Sequence, residues 1–323
     1  MAGWVDILTA KQAHFFKYFI EKYKLFATTR QYSESLAAIE FLNIKCDVIG
    51  KHGANILEKL INSVERSYAL LKWFLDKKPN FLVSHGSVEA TRIAFQAGIP
   101  VFDFNDTPES VFVARLTAPL ATLMIVPKDC GEFFRKYGAQ NVIEYDGLTQ
   151  VTWLKRYRYD HEIFKKLNLD ENKITVIVRE PAYLASHIES DSFHFKKIVS
   201  LLKEFSKEIN LIEIERYKGK FIDVPSLLNK ADIVIATGTM VGEAIVSGVP
   251  LVIDYFPVLQ SMYKRFSKEE YFLHSTNLET IISHIKNFIR NPRKRREPMY
   301  YKMEDPLDIF EEVIQEKFPN LLE

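Results

Sequence analysis

The sequence predicts an α/β protein built from two facing Rossmann-like domains, each with a parallel sheet, and a cleft between them. At 323 residues the chain exceeds the limit of about 250–300 residues for one hydrophobic core, so two domains are expected. Short apolar runs alternate with amphipathic stretches through most of the chain, as they do in βαβ units. The stretch 145–172 is charged, aromatic and without a clear strand pattern. We therefore divide the chain into segments 1–150, 151–305 and 306–323.

The first segment shows seven apolar runs of strand length, which predict the strands Trp4–Leu8, Leu25–Thr28, Cys46–Ile49, Phe81–Ser84, Val101–Phe104, Thr122–Val126 and Val142–Glu144. Apolar residues at helical spacing lie between these runs. They predict the helices Phe15–Tyr23, Tyr32–Leu42, Ile56–Asp76, Glu89–Ala97 and Gly131–Tyr137. This order of elements is that of a Rossmann-like domain with parallel strands.

The second segment repeats the alternation, with predicted strands Ile174–Val178, Asn210–Ile214, Ile233–Ala236 and Leu251–Asp254. Its predicted helices are Phe193–Lys207, Val224–Asn229, Gly242–Val246 and Leu278–Arg290. A last amphipathic helix is expected from about Pro306 to Lys317, because its apolar residues follow helical spacing. We expect it to pack back on the first domain.

Composition narrows the classes of function. The formal net charge is +1, from 43 Lys plus Arg and 42 Asp plus Glu, so no overall field attracts nucleic acid. Cys46 and Cys130 are too few for a disulfide framework and lack the spacing of a zinc site. No stretch reaches the roughly 18 apolar residues of a membrane span. We expect a cytoplasmic protein that binds no metal.

The second segment contains a candidate anion site after the strand Ile233–Ala236. Thr237-Gly238-Thr239 follows at the carboxyl end of that strand, where open α/β sheets bind their ligands. Glycine lets the backbone approach an oxyanion, and the start of a helix favours negative charge. Glu243 comes one helical turn later and is placed to accept both hydroxyls of a ribose. The alternative is a strand–helix turn capped by a threonine, with Glu243 only complementing the helix dipole.

Three polar clusters in the first segment also follow predicted strands, at Gly50-Lys51-His52-Gly53, Ser84-His85-Gly86-Ser87-Val88-Glu89 and Asn105-Asp106-Thr107-Pro108-Glu109. Carboxyl ends of parallel strands meet at one edge of a sheet, so these side chains can converge. His85 is the best candidate for a base near neutral pH. Asp106 and Glu109 compete with it, and His14 is expected to join them from the first loop. Any one of these residues alone could be a helix cap or a hydrogen-bonded turn.

The turn at Gly238 resembles the nucleotide-binding loop of GT-B superfamily proteins, particularly UDP-N-acetylglucosamine 2-epimerases. Those proteins read serine-glycine-glycine, then a glutamate, then glycine-x-proline. Here Thr237-Gly238-Thr239, Glu243 and Gly248-Val249-Pro250 occupy the same order.

The whole chain is similar to the largely archaeal domain-of-unknown-function family 354, which is assigned to the GT-B superfamily. Besides the Gly238 loop, the matching pieces are Trp4-x-Asp6-Ile7, His14-Phe15-Phe16, Thr29-Arg30, Gly50-Lys51-His52-Gly53, Ser84-His85-Gly86-Ser87-x-Glu89-Ala90, Phe104-Asn105-Asp106-Thr107, Tyr145-Asp146-Gly147 and Arg179-Glu180-Pro181. The sequence departs from that family at Gly242, where the family has an arginine before the glutamate. Arg216 or Lys218 could substitute for that phosphate-pairing cation.

The resemblance implies a GT-B-type glycosyltransferase that uses a nucleoside diphosphate sugar and needs neither metal nor cofactor. Its donor site would comprise Thr237, Gly238, Thr239, Met240, Glu243 and Arg179. The acceptor side would take its catalytic group from His85, Asp106, Glu109 or His14, with Lys51, His52, Glu89 and Asn105 also lining the cleft. The acceptor would be a glycan or a lipid-linked molecule. The alternatives are a sugar-nucleotide epimerase of the 2-epimerase type and a non-catalytic sugar-nucleotide-binding protein.

A basic run follows the second domain and consists of Arg293, Lys294, Arg295 and Arg296. Such a run can contact anionic lipid headgroups, at about 1 kcal/mol for each basic residue. This makes it a candidate for peripheral membrane contact. The alternative is a solvated linker between Pro292 and Pro298.

Overall fold

The computed structural model of the chain describes residues 2–181, 193–215 and 222–321. Within them the chain forms two units, one of residues 1–153 with 304–323 and one of residues 154–303. Each unit contains one sheet, and every strand pairing is parallel. The predicted α/β fold class with parallel sheets is therefore confirmed.

The first unit holds a seven-stranded sheet in the order β3-β2-β1-β4-β5-β6-β7. Its strands are β1 Trp4–Ile7, β2 Phe26–Gln31, β3 Asp47–Lys51, β4 Leu82–Ser84, β5 Val101–Asp103, β6 Leu123–Pro127 and β7 Val142–Tyr145. The helices are α1 Ala10–Tyr23, α2 Ser33–Phe41, α3 Ile56–Lys77, α4 Val88–Gln96, α5 Val111–Thr117, α6 Gly131–Lys136 and α7 Val151–Leu154. The first six strands of this order form the Rossmann arrangement 3-2-1-4-5-6.

The second unit holds a five-stranded sheet in the order β12-β11-β10-β8-β9. Its strands are β8 Ile174–Arg179, β9 Ile209–Ile214, β10 Ile233–Ala236, β11 Leu251–Asp254 and β12 Phe272–His274. Its helices are α8 Ile163–Lys166, α9 Phe193–Leu202, α10 Val224–Leu228, α11 Thr239–Val246 and α12 Leu278–Arg290. Read from β9, this is the doubly wound order 2-1-3-4-5.

The last helix, α13 Pro306–Lys317, belongs to the first unit. Its Phe310 is fully buried and lies 5.4 Å from Phe19 of α1, 5.3 Å from Phe102 of β5 and 5.8 Å from Phe104, measured between ring centroids. These aromatic contacts attach α13 to the core of that unit.

Several predicted boundaries were wrong, and two of the shifts bear on function. Helix α1 begins at Ala10, five residues before the predicted start, because Thr9 caps it by accepting a hydrogen bond from the Gln12 amide. Its first turn carries no apolar periodicity to mark it. Helix α11 begins at Thr239, directly after Gly238, instead of at Gly242.

The predicted turn at Gly50-Lys51-His52-Gly53 was also placed too early. Gly50 and Lys51 are the last residues of β3, an edge strand whose pairing with β2 shifts register between Thr29 and Gln31. Gly50 has a φ of +75°, which explains why a glycine occurs inside the strand.

Candidate functional site

His85 in the first unit and the Gly238 turn in the second unit lie next to the points where the strand order of each sheet reverses. In the first unit the reversal falls between β1 and β4, and β4 leads directly into His85 and Gly86. In the second unit it falls between β8, which ends at Arg179, and β10, which leads into Gly238. Open α/β sheets bind their ligands beside such reversals, at the carboxyl ends of the strands.

In the first unit, Asp106 is the centre of a polar cluster that also includes Lys11, His85 and Thr149. Asp106 is fully buried, and its carboxylate pairs with the Lys11 ammonium group. It accepts a hydrogen bond of 2.6 Å from the Thr149 hydroxyl and lies 3.5 Å from Nε2 of His85. We call these four residues the Asp106 cluster.

The Asp106 cluster keeps its carboxylate ionised. Burial alone would raise the pKa of Asp106, but the charge of Lys11 and the nearby His85 ring outweigh it and hold the pKa well below the usual range. A carboxylate with so low a pKa is a weak base at neutral pH. It is instead suited to orienting a neighbouring imidazole and to stabilising its protonated form.

The backbone at His85 and Gly86 is held by two hydrogen bonds to buried side chains. Gln12 of α1 donates its side-chain amide to the His85 carbonyl at 2.9 Å and accepts from the Leu8 amide at 2.6 Å. The next residue, Gly86, has a φ of +72° and donates its amide to the buried Asp103 carboxylate at 2.8 Å. A Cβ atom at Gly86 would lie 3.2 Å from the side chain of Asn105. These contacts fix the backbone from which the imidazole projects.

Three further charged residues, Asp6, Arg66 and Glu89, lie beside the loop that carries His85. Arg66 of α3 reaches the buried Asp6 carboxylate through Nη1 at 3.0 Å and Nη2 at 2.6 Å, and its Nη1 lies 3.6 Å from Glu89. Ser87 donates its hydroxyl to Asp6 at 2.6 Å. Glu89, predicted to line the ligand site, therefore lies within this ion-pair network.

The other predicted residues of the first unit lie apart from these contacts or only border them. His14 is buried on α1, with its ring centroid 6.2 Å from that of Trp153. Glu109 is half-buried beyond Asp106, and Lys51 is exposed at the end of β3. His52 is half-buried with its ring 4.9 Å from that of Tyr32. Burial, Arg30 and Lys59 lower the pKa of His52 to about 4, so it is neutral at physiological pH.

In the second unit, the turn at Gly238 has an unusual backbone that only glycine adopts easily. Gly238 is the N-cap of α11 with φ of 64° and ψ of −132°, and no side chain caps the helix there. A Cβ atom at this position would meet no described atom within 4 Å. The backbone on this side is therefore open to close approach by a ligand.

Tyr263, which the sequence did not single out, holds the first turn of α11. Its buried hydroxyl donates to the Gly238 carbonyl at 3.0 Å and accepts from the Gly242 amide at 3.1 Å. In a regular helix the Gly242 amide would bond directly to that carbonyl. The hydroxyl therefore takes a place inside the hydrogen-bond ladder and fixes the start of the helix.

The remaining predicted donor residues surround this turn within the second unit. Thr237 and Met240 are buried, Thr239 is partly exposed at the start of α11, and Glu243 is 7% exposed one turn later. Arg179 ends β8, and its carbonyl accepts a hydrogen bond from the Tyr255 hydroxyl. The candidate cations Arg216 and Lys218 lie outside the described residues.

Asp254 is a further acidic group at this edge of the sheet, at the end of β11 and in register with Ala236 of β10. It is fully buried and accepts one hydrogen bond, from the Phe256 amide at 3.1 Å, while its Oδ2 has no hydrogen-bond partner among the described residues. Burial raises the pKa of Asp254 to about 7.

Replacement of Asp254 by asparagine is expected to remove a pH-dependent loss of stability. Between about pH 4 and pH 7 the unfolded chain has released the Asp254 proton and the folded chain still holds it. Stability therefore falls as the pH rises through this range, by an amount on the order of 3 kcal/mol. Asp254→Asn should match the wild type near pH 4 and exceed it above pH 7 in urea unfolding. Glu269→Gln, at an exposed carboxylate of the same unit, is the control. Parallel pH profiles for Asp254→Asn and the wild type would contradict a raised pKa of Asp254.

Two arginines of the basic run at 293–296 donate hydrogen bonds to backbone carbonyls. Arg295 donates to the carbonyls of Leu228, Ala231 and Ser247, at 2.9, 3.2 and 2.5 Å. Arg296 donates to Val249 and Ile245, and its guanidinium lies 3.4 Å from the centroid of the Tyr271 ring. These carbonyls include those at the C-terminal ends of α10 and α11, which a cation stabilises. Neither arginine is part of a fully solvated linker.

Across the described ranges, no helix is both long and apolar enough to cross a membrane. The same residues contain no group of three histidine, cysteine or acidic side chains arranged to hold a metal ion.

Several solved structures share this fold at low sequence identity. UDP-GlcNAc 2-epimerase from Neisseria meningitidis bound to UDP-GlcNAc matches with a TM-score of 0.67 and 16% identity, over 98% of this chain and 100% of that one. The Methanocaldococcus jannaschii UDP-GlcNAc 2-epimerase in complex with UDP-GlcNAc and UDP matches with a TM-score of 0.66 and 14% identity, over 98% and 99%. Spinosyn forosaminyltransferase matches with a TM-score of 0.63 and 11% identity, over 98% of both chains. The chain thus shares the fold of these proteins.

The chain belongs to the family described as Protein of unknown function (DUF354), whose model matches residues 1–318. It is also 28% identical, over 340 residues, to an uncharacterized protein of Methanocaldococcus jannaschii. That alignment covers 96% of this chain and 97% of the relative. The resemblance inferred from the sequence motifs is therefore confirmed.

Proposed function

We propose that this protein is a GT-B-type glycosyltransferase that uses a nucleoside diphosphate sugar as donor and requires no metal. The observation that carries the proposal is the Gly238 turn, which opens its backbone at the N-terminus of α11 beside the strand-order reversal. This arrangement is suited to a diphosphate, because free amides and the helix dipole favour negative charge. UDP-containing complexes of the structural relatives support the same class of ligand.

On the donor side, the backbone at Thr237, Gly238, Thr239 and Met240 binds the diphosphate. The Met240 side chain is buried, so only its backbone is offered to the ligand. Glu243 accepts hydrogen bonds from the two ribose hydroxyls, and Arg179 adds positive charge. The helix dipole and Arg179 stabilise the leaving diphosphate, which is the task that a metal performs in other enzymes.

On the acceptor side, the Asp106 cluster favours His85 as the general base. His85 takes the proton from the acceptor hydroxyl while that oxygen attacks the anomeric carbon of the sugar. The bond from this carbon to the diphosphate breaks, and the diphosphate leaves with the electron pair. The resulting imidazolium is stabilised by Asp106, 3.5 Å away, and Lys11 holds Asp106 in its ionised form.

A sugar-nucleotide epimerase of the 2-epimerase type is the second candidate, because epimerases with bound UDP-GlcNAc match this chain over almost its full length. The sequence Val178-Arg179-Glu180-Pro181 argues against it. It keeps an arginine and a glutamate at the end of β8 but lacks the histidine expected of those enzymes there.

Incubation with a panel of UDP-, GDP- and dTDP-sugars separates these functions. Nucleoside diphosphate released only when a glycan or lipid-linked acceptor is present supports transfer. An interconverted sugar without acceptor supports epimerisation. Binding without turnover of any donor would contradict both and leave a sugar-nucleotide-binding protein.

Replacement of Glu243 by alanine is expected to weaken nucleotide binding by about 10- to 100-fold, because charge-assisted hydrogen bonds contribute about 1.5–3 kcal/mol. Isothermal titration with the donor identified by the panel measures the change, and thermal unfolding should show a smaller effect. Glu269→Ala, at an exposed glutamate of the same unit, is the matched control. Equal affinity of Glu243→Ala and the wild type would refute the ribose assignment.

Membrane contact through the basic run is not part of the proposed function. Arg295 and Arg296 donate to backbone carbonyls of their own unit, and withdrawing them would leave those carbonyls without these partners. Only Arg293 and Lys294 are exposed.

A further inference from the structure

Helix α3 presents a stripe of apolar side chains to solvent. Its buried residues are Asn62, Arg66 and Leu70. Six residues of the opposite face are between 42% and 66% exposed, and all are apolar or aromatic: Leu57, Ile61, Val64, Tyr68, Leu71 and Leu75. A surface helix of a globular protein normally has the reverse pattern. We call these six residues the α3 stripe.

The α3 stripe has the spacing of a helix that pairs with another helix. Successive members are separated by four, three, four, three and four residues. This alternation of four and three is the spacing of a heptad repeat, which keeps one seam facing a partner helix. We propose that α3 pairs with α3 of a second copy of this chain and that the protein is a two-fold symmetric dimer.

The exposed area is sufficient for such a dimer. With the adjacent Ile56 at 81% and Leu60 at 62% exposed, the stripe offers roughly 800 Å² of side-chain surface, about what each partner buries in a stable interface. Monomeric proteins rarely expose contiguous apolar patches of more than a few hundred Å². A two-fold interface uses one patch twice, so no second surface is needed.

An antiparallel pairing of the two α3 helices gives the stripe its best set of contacts. With the two-fold axis near Arg66, Leu57 lies opposite the partner's Leu75, Ile61 opposite the partner's Leu71 and Val64 opposite the partner's Tyr68. Every member of the stripe then has an apolar or aromatic counterpart.

The charged residues beside the stripe favour the same orientation. In the antiparallel arrangement Glu58 lies opposite the partner's Lys72, and the symmetry repeats this pair. The two pairs of opposite charge outnumber the one pair of like charge that Glu65 forms with the partner's Glu65 at the axis. A parallel arrangement would instead set Glu65 beside Leu60 and Lys72 beside Ser67 of the partner. It would form no ion pair across the seam.

Sedimentation velocity of the full chain at about 1–50 µM tests the dimer. The wild type should have twice the chain mass of 37.6 kDa, and Leu71→Glu should weaken association at least about 100-fold, because the charge enters the seam twice. Leu167→Glu is the matched control, since Leu167 is 44% exposed against 42% for Leu71 and belongs to the other unit. A monomeric wild type, including one that instead binds vesicles or another protein, would overturn the proposal, as would a dimer that survives Leu71→Glu.

Cross-linking tests the orientation. In a Cys46→Ser background, Glu65→Cys should be linked across the two-fold axis by a short bis-maleimide reagent. Ile56→Cys should not be linked, because ten residues on either side of the axis separate the two copies by roughly 30 Å. Cys130 is fully buried and should not react. Linking at both positions, or at neither, would overturn the antiparallel pairing.

Discussion

Replacement of Asp106 by asparagine is expected to lower the turnover of the proposed transferase by about 10²- to 10⁴-fold, the usual contribution of a positioned acid–base system. Asparagine nearly preserves the shape of the side chain but carries no charge, so it cannot stabilise a protonated His85. Lys11 would also lose its counterion. The rate is measured with the donor and acceptor that the panel of sugar nucleotides identifies. The fall should appear in kcat, with little change in donor affinity, because the donor residues belong to the other unit.

The control for this prediction is Asp129→Asn, the same substitution at an exposed residue of the same unit. Asp129 has a φ of 76°, a conformation that asparagine tolerates as well as aspartate. Thermal unfolding of both variants separates a loss of chemistry from a loss of folding. If folded Asp106→Asn keeps full turnover, His85 does not act as a base supported by Asp106.

The fold could be predicted from the sequence because the determining signal is local. Strand β10, for example, is a run of four fully buried apolar residues, and runs of this kind alternate with amphipathic helices in both halves. The signal weakens where an element is short or exposed. Strand β12 has three residues, and helix α5 carries the exposed Phe112 and Leu116 on its surface; neither element was predicted.

The position of the candidate site could also be predicted, because polar residues that follow buried strands must lie at the carboxyl edge of a parallel sheet. The partners of those residues could not. Lys11 reaches Asp106 across 95 positions, and Tyr263 reaches Gly238 across 25. Contacts of this separation depend on how helices pack after the sheet forms, and no local pattern encodes them. Asp254 was not singled out, although an acid that ends a buried apolar strand is visible in the sequence.

The second large expected effect is on the stability of the first unit, through the ion pair of Asp6 and Arg66. Replacement of Arg66 by methionine should destabilise the first unit by about 3–5 kcal/mol, because Asp6 would remain as a buried charge without its partner. For a unit of this size the melting temperature should fall by roughly 10 °C. Methionine retains much of the apolar stem, so lost packing contributes little.

A double-mutant cycle isolates the ion pair from other consequences of the substitution. Asp6→Asn in the Arg66→Met background removes the unpaired charge and should recover much of the lost stability, whereas Arg92→Met, at an exposed arginine of α4, should change it by less than about 0.5 kcal/mol. Additive effects of Asp6→Asn and Arg66→Met would exclude a coupled pair.

The ion pair of Asp6 and Arg66 also makes the stability of the first unit depend on pH. Burial opposes ionisation of Asp6, but Arg66 and the hydroxyls of Ser87 and Thr28 lower the pKa of this carboxyl below its usual range. The stabilisation is therefore complete above about pH 4, where the unfolded carboxyl is ionised, and disappears as the pH falls through the folded pKa. Without Arg66 only burial and the two hydroxyls remain, so the carboxyl of the variant should take up its proton at a higher pH than in the wild type. The difference in unfolding free energy between wild type and Arg66→Met should consequently be largest near pH 7 and shrink towards pH 4. A constant difference over that range would show that Asp6 is not the charge that Arg66 neutralises.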